Sequence, residues 1–193
     1  MKPNIGQGDK GKTQLFGKSE KVWKNDPQVE AYGDADALNS LIGHIRAINP
    51  HKSIDPFLEK IQQDLFILQS LLATEDENPA IPHLTQGHID FLEEKLQEIE
   101  DELPELKNFI LPSGTETAAL MHRARTESRN LERTIVSFYR ATNYFTEDKI
   151  DLPKYLGYIL PYANRLSDIF FALARWTNLK ENVKETEWRG TEK

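Results

Sequence analysis

Apolar residues recur every three or four positions along most of the chain, which is the spacing of one buried face of an α-helix. The pattern predicts three helices in the first part of the chain, at residues 26–49, 55–72 and 85–103. Pro56 falls in the first turn of the second helix, where the missing N–H costs no hydrogen bond, and Pro104 closes the third.

Two further helices are predicted in the second part of the chain. The fourth follows a Pro-Ser-Gly turn, has Ser113 or Thr115 as its N-cap and runs for about 30 residues. The fifth has Asp151 as its N-cap and Pro153 in its first turn, and Pro161 is expected to bend it.

These helices predict an all-α fold, a five-helix bundle of the ferritin-like type with a loop-rich N-terminal arm. The alternation that marks strands is essentially absent. We expect an arm at residues 1–25, one helical domain at 26–180, and a polar tail at 181–193 that is frayed after Leu179.

Charge and composition narrow the possible functions. A net charge of -7 over 193 residues argues against nucleic-acid binding, which needs a basic surface, so any polyanion site must be local. The chain has no cysteine, which excludes disulfides and thiolate metal sites and fits a reducing compartment. Because no apolar run is long enough to cross a membrane and no transit peptide is visible, we expect a cytoplasmic protein without a membrane partner.

Three arginines on the fourth predicted helix form the first candidate site. Arg125, Arg129 and Arg133 are four residues apart and therefore share one helix face. Like charges at this spacing cost a lone helix about 0.2–0.5 kcal/mol per pair, so the row needs an acidic partner or a bound polyanion. The alternative is an exposed stripe that neighbours such as Glu132 neutralise.

The N-terminal arm is the second candidate. Its glycines, charged residues and threonine are Gly8, Asp9, Lys10, Gly11, Lys12 and Thr13, followed by Lys24. Glycines interleaved with such donors allow the backbone to approach phosphate oxygens closely. The spacing is not that of a Walker motif, and the alternative is a disordered terminus.

Two polar groups on other helices form the third candidate. Asp34 and Asp36 lie near the start of the first helix, where they either complement the helix dipole or reach an arginine of the fourth helix. On the fifth helix Asn164 and Asp168 share a face, with Arg165 beside them. The alternative for this row is contact with solvent or with an interface.

Other chemistry is not supported by the motifs. No Gly-x-Ser-x-Gly sequence and no cysteine is available as an acyl nucleophile. The histidines do not have the spacing of a di-metal helical bundle. They are His44, His51, His83, His88 and His122.

Taken together, these segments resemble the PduO-type ATP:cob(I)alamin adenosyltransferases. The matching runs, in order, are GDKGKT, KNDPQVEAYGDADALNS, FILPSGTETAALMHRARTESRNLER and YANRLSDIFFALARWTN. At residues 50–105 only the helical pattern agrees. The resemblance implies a homotrimer of five-helix bundles, with active sites at subunit interfaces, that transfers the 5′-deoxyadenosyl group of ATP to reduced cobalamin and releases triphosphate.

The resemblance also implies roles for individual residues. ATP, with Mg²⁺ held through its phosphates, is expected to contact Gly8, Asp9, Lys10, Gly11, Thr13, Lys24, Arg129, Glu132, Arg133 and Asn164. Cobalamin is expected to contact Phe109, Asp36, Asn164 and Asp168. Arg129, Phe109, Asp36 and Arg125 are the residues on which catalysis is expected to depend. Phe109 would press on the lower corrin face and favour four-coordinate Co(II), and Asp36 would form an ion pair with Arg125 that supports the subunit interface.

The chain departs from the family pattern at Ile5, Gln7 and Asn130. Relatives often carry threonine before the Gly-Asp pair, where this chain has Ile5 and Gln7, and a second arginine where it has Asn130. Both changes weaken the expected contacts with ATP. The alternatives to an enzyme are a non-catalytic carrier or sensor of nucleotide or cobalamin, and a purely structural bundle.

Overall fold

A computed structural model of the chain describes residues 6, 8–16, 20–74, 77–147 and 149–190. In these residues a short N-terminal hairpin precedes five α-helices. The strands are β1 (Lys12–Gln14) and β2 (Lys21–Trp23), and the helices are α1 (Pro27–Ile48), α2 (Asp55–Leu72), α3 (Gln86–Glu100), α4 (Glu116–Ala141) and α5 (Ile159–Lys180). The predicted five-helix bundle is confirmed.

Helix α4, which carries the row of arginines, lies at the centre of the bundle. α4 packs against α1 and α5, α2 packs against α1, and α3 packs against α5. The core between them is aliphatic and aromatic, and its fully buried members include Leu38, Ile42, Leu65, Leu131, Ile135, Leu166 and Phe170. The spacing of apolar residues predicts all of these side chains on inward faces except Phe170.

Helix starts follow local capping chemistry. Asp26 accepts a hydrogen bond from the backbone N–H of Gln28 at 2.9 Å and caps α1, with Pro27 as its first residue. Thr115, and not Ser113, caps α4 through the N–H of Ala118 at 3.2 Å. α4 has 26 residues, somewhat fewer than expected.

The predicted start of the fifth helix is wrong. Asp151 and Pro153 precede a short 3₁₀ turn at Lys154–Leu156, and α5 begins only at Ile159. Pro161 therefore lies in the first turn of α5, where its missing N–H has no partner to lose, and the expected reason for a bend disappears.

The N-terminal segment contains the β-hairpin that the sequence pattern did not predict. β1 and β2 are antiparallel, with Thr13 opposite Val22. The hairpin is attached to the bundle because the N–H of Phe16 donates to the carbonyl of Ala73 at 3.1 Å. The buried amide of Gln28 donates to the carbonyls of Leu72 and Thr74 and closes the same end of α2.

The C-terminal tail is not frayed over its described part. After α5 the chain returns to the segment before α4, where Ile110 pairs with Glu187 as an antiparallel bridge. Leu111 N–H donates to the Thr186 carbonyl at 2.8 Å, and Trp188 N–H donates to the Phe109 carbonyl at 2.7 Å.

A buried carboxylate connects three helices. Asp64 on α2 is 1% exposed and accepts a hydrogen bond from the Tyr162 hydroxyl of α5 at 3.1 Å. Lys60 contacts the same carboxylate, and the His88 Nε2 of α3 lies 3.7 Å from its Oδ1. Burial, and then the charge of Asp64, raise the pKa of Tyr162, so its hydroxyl remains a donor.

Tyr162→Phe is expected to lower the free energy of unfolding by about 1–3 kcal/mol, because a buried carboxylate loses a donor. Urea denaturation at pH 7 measures this change. The control is Tyr158→Phe, since the Tyr158 hydroxyl has no hydrogen bond to the part of the chain that the structure describes; it should cost less than about 0.5 kcal/mol. Equal losses in the two variants would contradict the role of the Tyr162–Asp64 bond.

Candidate functional site

A cleft of about 500 Å³ opens between the N-terminal hairpin, α1 and α4. Its lining residues are Thr13, Lys24, Val29, Glu30, Tyr32, Gly33, Asp34 and Thr134. The hairpin side supplies a hydroxyl and an ammonium group, and the α1 side supplies carboxylates. The cleft is therefore polar and has groups of both charges on its walls.

Lys24 is held against the Gly8 turn at the edge of this cleft. Its backbone N–H donates to the carbonyl of Gly11 at 2.9 Å. A Cβ built on Gly8 would lie 3.0 Å from the Lys24 Nζ, so a glycine permits the ammonium group to approach the turn this closely. The structure thus brings together Gly8, Gly11, Thr13 and Lys24, as the arm motif predicts.

The remaining residues of the arm motif form the exposed part of the turn. Asp9 and Lys10 lie between the two glycines, and the N–H of Gly11 donates to the carbonyl of Gly8 at 3.1 Å. The Lys12 ammonium lies 4.7 Å from the centre of the Trp23 ring. Ile5 and Gln7 lie outside the described residues.

Tyr32 joins the hairpin to α1 and was not singled out from the sequence. Burial raises the pKa of the Tyr32 hydroxyl, and a hydrogen bond with the Thr13 side chain opposes that rise. The bond connects a cleft hydroxyl to the helix that carries Asp34. Only its position inside the YGDADALNS run hinted at a role for this tyrosine.

Asn130 connects the acidic wall of the cleft to the arginine row. Its Nδ2 donates to Asp34 Oδ2 at 2.8 Å, and its Oδ1 accepts from Arg133 Nη2 at 3.0 Å. The expectation that one acidic residue of α1 reaches across to an arginine is therefore wrong for Asp34, because an amide stands between the two charges.

A second chain of polar contacts crosses from α4 to α5 and α3. Asn164 Nδ2 donates to Glu132 Oε1 at 2.9 Å, and Asn164 Oδ1 accepts from Arg165 Nη1 at 2.9 Å. Arg165 also pairs with Glu93 at 2.7 Å. Glu132 is thus bound to an amide, and it makes no ion pair with the arginines of its own helix.

Arg129 is exposed on α4 between these two sets of contacts. It makes no ion pair or hydrogen bond with any side chain in residues 20–74, 77–147 and 149–190. A guanidinium without an acidic partner keeps its full charge available for an anion.

Arg125 and Asp36 do not meet within the chain. Asp36 is exposed on α1, whereas Arg125 is partly buried and its Nε has no hydrogen-bond partner. His122 is 4% exposed, and burial lowers its pKa, with a further lowering from the Arg125 charge. The expected Asp36–Arg125 pair is therefore not intramolecular.

Phe109 is exposed in the segment that precedes α4. Its side chain is 77% exposed, and its neighbour across the paired tail, Trp188, is 56% exposed. The two rings line an open cavity of about 410 Å³ together with Leu106, Lys107 and Asn108. Exposed aromatic side chains that lie together in this way mark a surface for binding a ligand or a partner.

Asp168 is exposed on α5 and makes no hydrogen bond or ion pair with the residues that the structure describes. Within the same residues, no group of three or more His, Asp or Glu side chains could hold a metal ion. None of the helices in the described part of the chain is both long and apolar enough to span a membrane.

The protein is a helical bundle with a polar cleft and with an exposed arginine on α4, Arg129, that makes no ion pair within the described residues. Its sequence matches the profile of the cobalamin adenosyltransferase family over residues 4–177, and the chain belongs to this family. It is 35% identical over 192 residues to the corrinoid adenosyltransferase of Bacillus subtilis, which covers 97% of this chain and 92% of that protein. It is 39% identical over 183 residues to the corrinoid adenosyltransferase of Mycobacterium leprae, which covers 91% of each.

Solved structures of similar proteins have the same fold. One is a histidine-for-phenylalanine variant of a PduO-type ATP:corrinoid adenosyltransferase from Lactobacillus reuteri, complexed with cobalamin and ATP. It has a TM-score of 0.84 and 37% identity, and the match covers 99% of this chain and 98% of that one. A lysine-for-arginine variant from the same organism, complexed with ATP, has a TM-score of 0.82 and 36% identity over 96% of this chain and 99% of that one.

Proposed function

We propose that this protein is an ATP:corrinoid adenosyltransferase that converts cob(I)alamin to adenosylcobalamin. In the reaction the electron pair of Co(I) forms a bond to the 5′ carbon of ATP, the C5′–O bond breaks, and triphosphate leaves. Two observations carry the proposal in a chain of this family: Lys24 lines a polar cleft, and Arg129 is exposed and makes no ion pair within the described residues.

Stabilisation of the leaving triphosphate is the main electrostatic task of the protein. Preorganised cations and N–H groups perform this task well because they need no rearrangement as charge develops. Lys24 and Arg129 are the proposed cations, and Arg133 is a second contributor, oriented by Asn130. The Thr13 hydroxyl and the turn N–H groups of Gly8, Asp9, Lys10 and Gly11 are proposed to hold the phosphates.

No covalent catalytic residue is required on the protein side. Because Co(I) is itself the nucleophile, the chain needs only to bind, orient and desolvate the two substrates. This requirement agrees with the amino-acid inventory, which lacks cysteine and an acyl-transfer motif.

The corrinoid is proposed to lie against Phe109. An aromatic ring pressed on the lower corrin face would exclude the axial base and favour four-coordinate Co(II), which is easier to reduce. The high exposure of Phe109 makes its ring available for this contact. Asp36, Asn164 and Asp168 are the other proposed corrinoid contacts, and Asn164 with Glu132 is also proposed to contact the nucleotide.

Mg²⁺ is proposed to accompany ATP, bound mainly through phosphate oxygens. The cleft residues Thr13, Glu30 and Asp34 carry side-chain oxygens of the kind that Mg²⁺ binds, but the described residues form no complete ligand set of their own, so the phosphates would supply most of the ligands. When bound, Mg²⁺ neutralises part of the phosphate charge.

A homotrimer with active sites at subunit interfaces is part of the proposal. Phe109 precedes the first residue of α4, whereas Thr134 lines the cleft near its other end; along the helix, Glu116 and Thr134 are roughly 27 Å apart. Reacting atoms must come within about 3–3.5 Å. This separation favours a site in which the cleft of one copy faces the aromatic surface of another.

Asp36 and Arg125, which have no ion-pair partner among the described residues, support the same arrangement. Asp36 is exposed, and Arg125 has a buried Nε without a partner. A pair between copies would satisfy both groups. Light scattering tests the trimer, since a mass near 22.2 kDa instead of three times that value would reject it.

The reaction itself is tested by mixing the protein with MgATP and chemically reduced cobalamin. The expected result is the absorbance change of Co–C bond formation together with release of one triphosphate per adenosylcobalamin. Binding of ATP without turnover would reject the enzyme and favour a carrier or sensor. The cytoplasm remains the predicted location, which cell fractionation tests.

Asn130→Ala is expected to raise the KM for ATP by about three- to tenfold, because Asp34 and Arg133 both lose a hydrogen-bond partner and a free carboxylate faces the phosphates. Steady-state kinetics with varied ATP measures the change. Thr126→Ala, which removes an exposed hydroxyl bonded only to the Arg123 carbonyl, is the control. An unchanged KM in Asn130→Ala would argue that the cleft does not hold ATP.

A further inference from the structure

The turn between Phe109 and α4 is held by one side chain from the far end of the bundle. Asn178, near the end of α5, is 1% exposed. Its Oδ1 accepts a hydrogen bond from the Thr115 N–H at 3.1 Å, and its Nδ2 donates to the Ser113 carbonyl at 3.1 Å. The amide therefore satisfies one donor and one acceptor of the same turn.

Gly114 is the residue that permits this contact. Its φ is +123°, a backbone conformation that side chains rarely adopt. A Cβ on Gly114 would lie 2.0 Å from Asn178 Oδ1 and 2.4 Å from Nδ2. The close approach of the amide to the turn thus requires glycine for two separate reasons.

The same asparagine also fixes the start of the tail. Its backbone carbonyl accepts a hydrogen bond from the Val183 N–H at 2.8 Å. The tail then runs back to Phe109, where Trp188 N–H donates to the Phe109 carbonyl. Asn178 is therefore linked to the Phe109 segment in two ways. Its side chain binds the turn that follows Phe109, and its backbone binds the start of the tail that pairs with Phe109.

We propose that Asn178 is a positioning residue that fixes the Phe109 segment for corrinoid binding. This role rests on the proposed function, because it assumes that Phe109 contacts the corrinoid. Asn178 does not itself touch a substrate in this proposal. It acts by restricting the backbone of residues 109–115, so that the aromatic ring is held in place before the corrinoid arrives.

An amide is the side chain that suits this position. Alanine would leave the Thr115 N–H and the Ser113 carbonyl without partners in a buried place. Aspartate would retain an acceptor for Thr115 but would place a second oxygen against the Ser113 carbonyl. Both Asn178→Ala and Asn178→Asp are therefore expected to release the turn.

The experiment uses the full-length protein with Asn178→Ala and Gly114→Ala as test variants. Gly114→Ala acts from the opposite side of the contact and leaves the Asn178 side chain in place, so it carries the test if Asn178→Ala does not fold. Thr177→Val is the matched control, because Thr177 is the neighbouring buried polar residue and its hydroxyl bonds only within α5, to Leu173.

The first readout is independent of catalysis. Hydrogen exchange at the backbone amides of Leu111 and Trp188, which donate across the paired segments, is expected to speed up by about tenfold or more in the test variants. Thr177→Val should leave both amides protected. Unchanged exchange at both amides in the folded test variants would overturn the positioning role.

The second readout separates the two substrates. In the test variants the Kd for cob(II)alamin, with ATP bound, is expected to rise about tenfold, and the spectroscopic fraction of four-coordinate Co(II) is expected to fall, whereas the Kd for MgATP changes less than about twofold. Parallel loss of both affinities would indicate general destabilisation and overturn the proposal. If the wild-type protein binds no corrinoid, the proposed function is wrong. The exchange data would still show whether Asn178 restricts the backbone of the Phe109 segment.

Discussion

Arg129→Ala is expected to lower kcat for adenosyl transfer by about 100- to 1,000-fold. The reaction expels a triphosphate, and charge develops on the leaving oxygen as the C5′–O bond breaks. Arg129 is an exposed arginine of α4 that has no acidic partner in the described residues, so its charge is fully available to this group. Single-turnover kinetics with preformed cob(I)alamin measures the chemical step directly.

Arg123→Ala provides the matched control for this prediction. Arg123 lies on the same helix, is 66% exposed and pairs with Glu127 at 3.7 Å, so its removal changes the net charge equally but leaves the site intact. Its kcat should remain within about twofold of wild type. If the two variants lose activity equally, the effect of Arg129 is one of general charge, and its assignment to the triphosphate is wrong.

Asp36→Asn and Arg125→Lys are each expected to reduce activity at least about tenfold and to shift the protein from three copies towards one, because removing one partner of a buried pair costs about 3–5 kcal/mol. In the proposed trimer the cost falls on assembly, because Asp36 and Arg125 do not pair with each other within the chain and the buried Arg125 Nε has no hydrogen-bond partner in the described residues. Activity and light-scattering mass should therefore fall together.

The matched control is a charge change in an exposed pair that stays within one chain. Lys95 and Glu98 pair on α3 at 2.6 Å, and Glu98→Gln should leave both activity and mass unchanged. The exchanged double variant, Asp36→Arg with Arg125→Asp, should recover part of the trimer that either single reversal loses. Kinetics like those of wild type in Asp36→Asn or Arg125→Lys would argue against a pair between copies.

The helices could be predicted from the sequence because each helix is determined by local patterns. Apolar spacing, the cap at Asp26 and proline in first turns are read over a few neighbouring residues, and α1 and α2 begin and end close to the predicted positions. The same local rules misplaced the start of α5. Asp151 and Pro153 have the chemistry of a helix start, but the chain forms a 3₁₀ turn there before Ile159.

The parts that escaped prediction depend on contacts between distant residues. Each strand of the hairpin has three residues, too few for an alternating pattern to be visible, and the strands are stabilised partly by contacts with the end of α2. The tail is polar in sequence, and its pairing with the Phe109 segment involves residues more than 70 positions apart. From its composition alone, this polar tail is expected to be unstructured.

The candidate site was also predictable only where its residues are close in sequence. The arm motif predicted the grouping of Gly8, Thr13 and Lys24, because these residues are close in sequence. The bond between Asn130 and Asp34 joins residues 96 positions apart, and no local pattern could indicate it. Helical spacing placed Arg125 and Asp36 on definite faces but carried no information about which faces meet.

The pairing between the tail and the Phe109 segment changes how late nonsense mutations in the gene should be judged. A stop codon just after position 180 would spare all five helices. It would nevertheless remove the segment that pairs with Phe109 and also Glu185, the partner of the buried Arg175. Such an allele would be expected to be deficient in its reaction with the corrinoid, a consequence that inspection of the helices alone would not suggest.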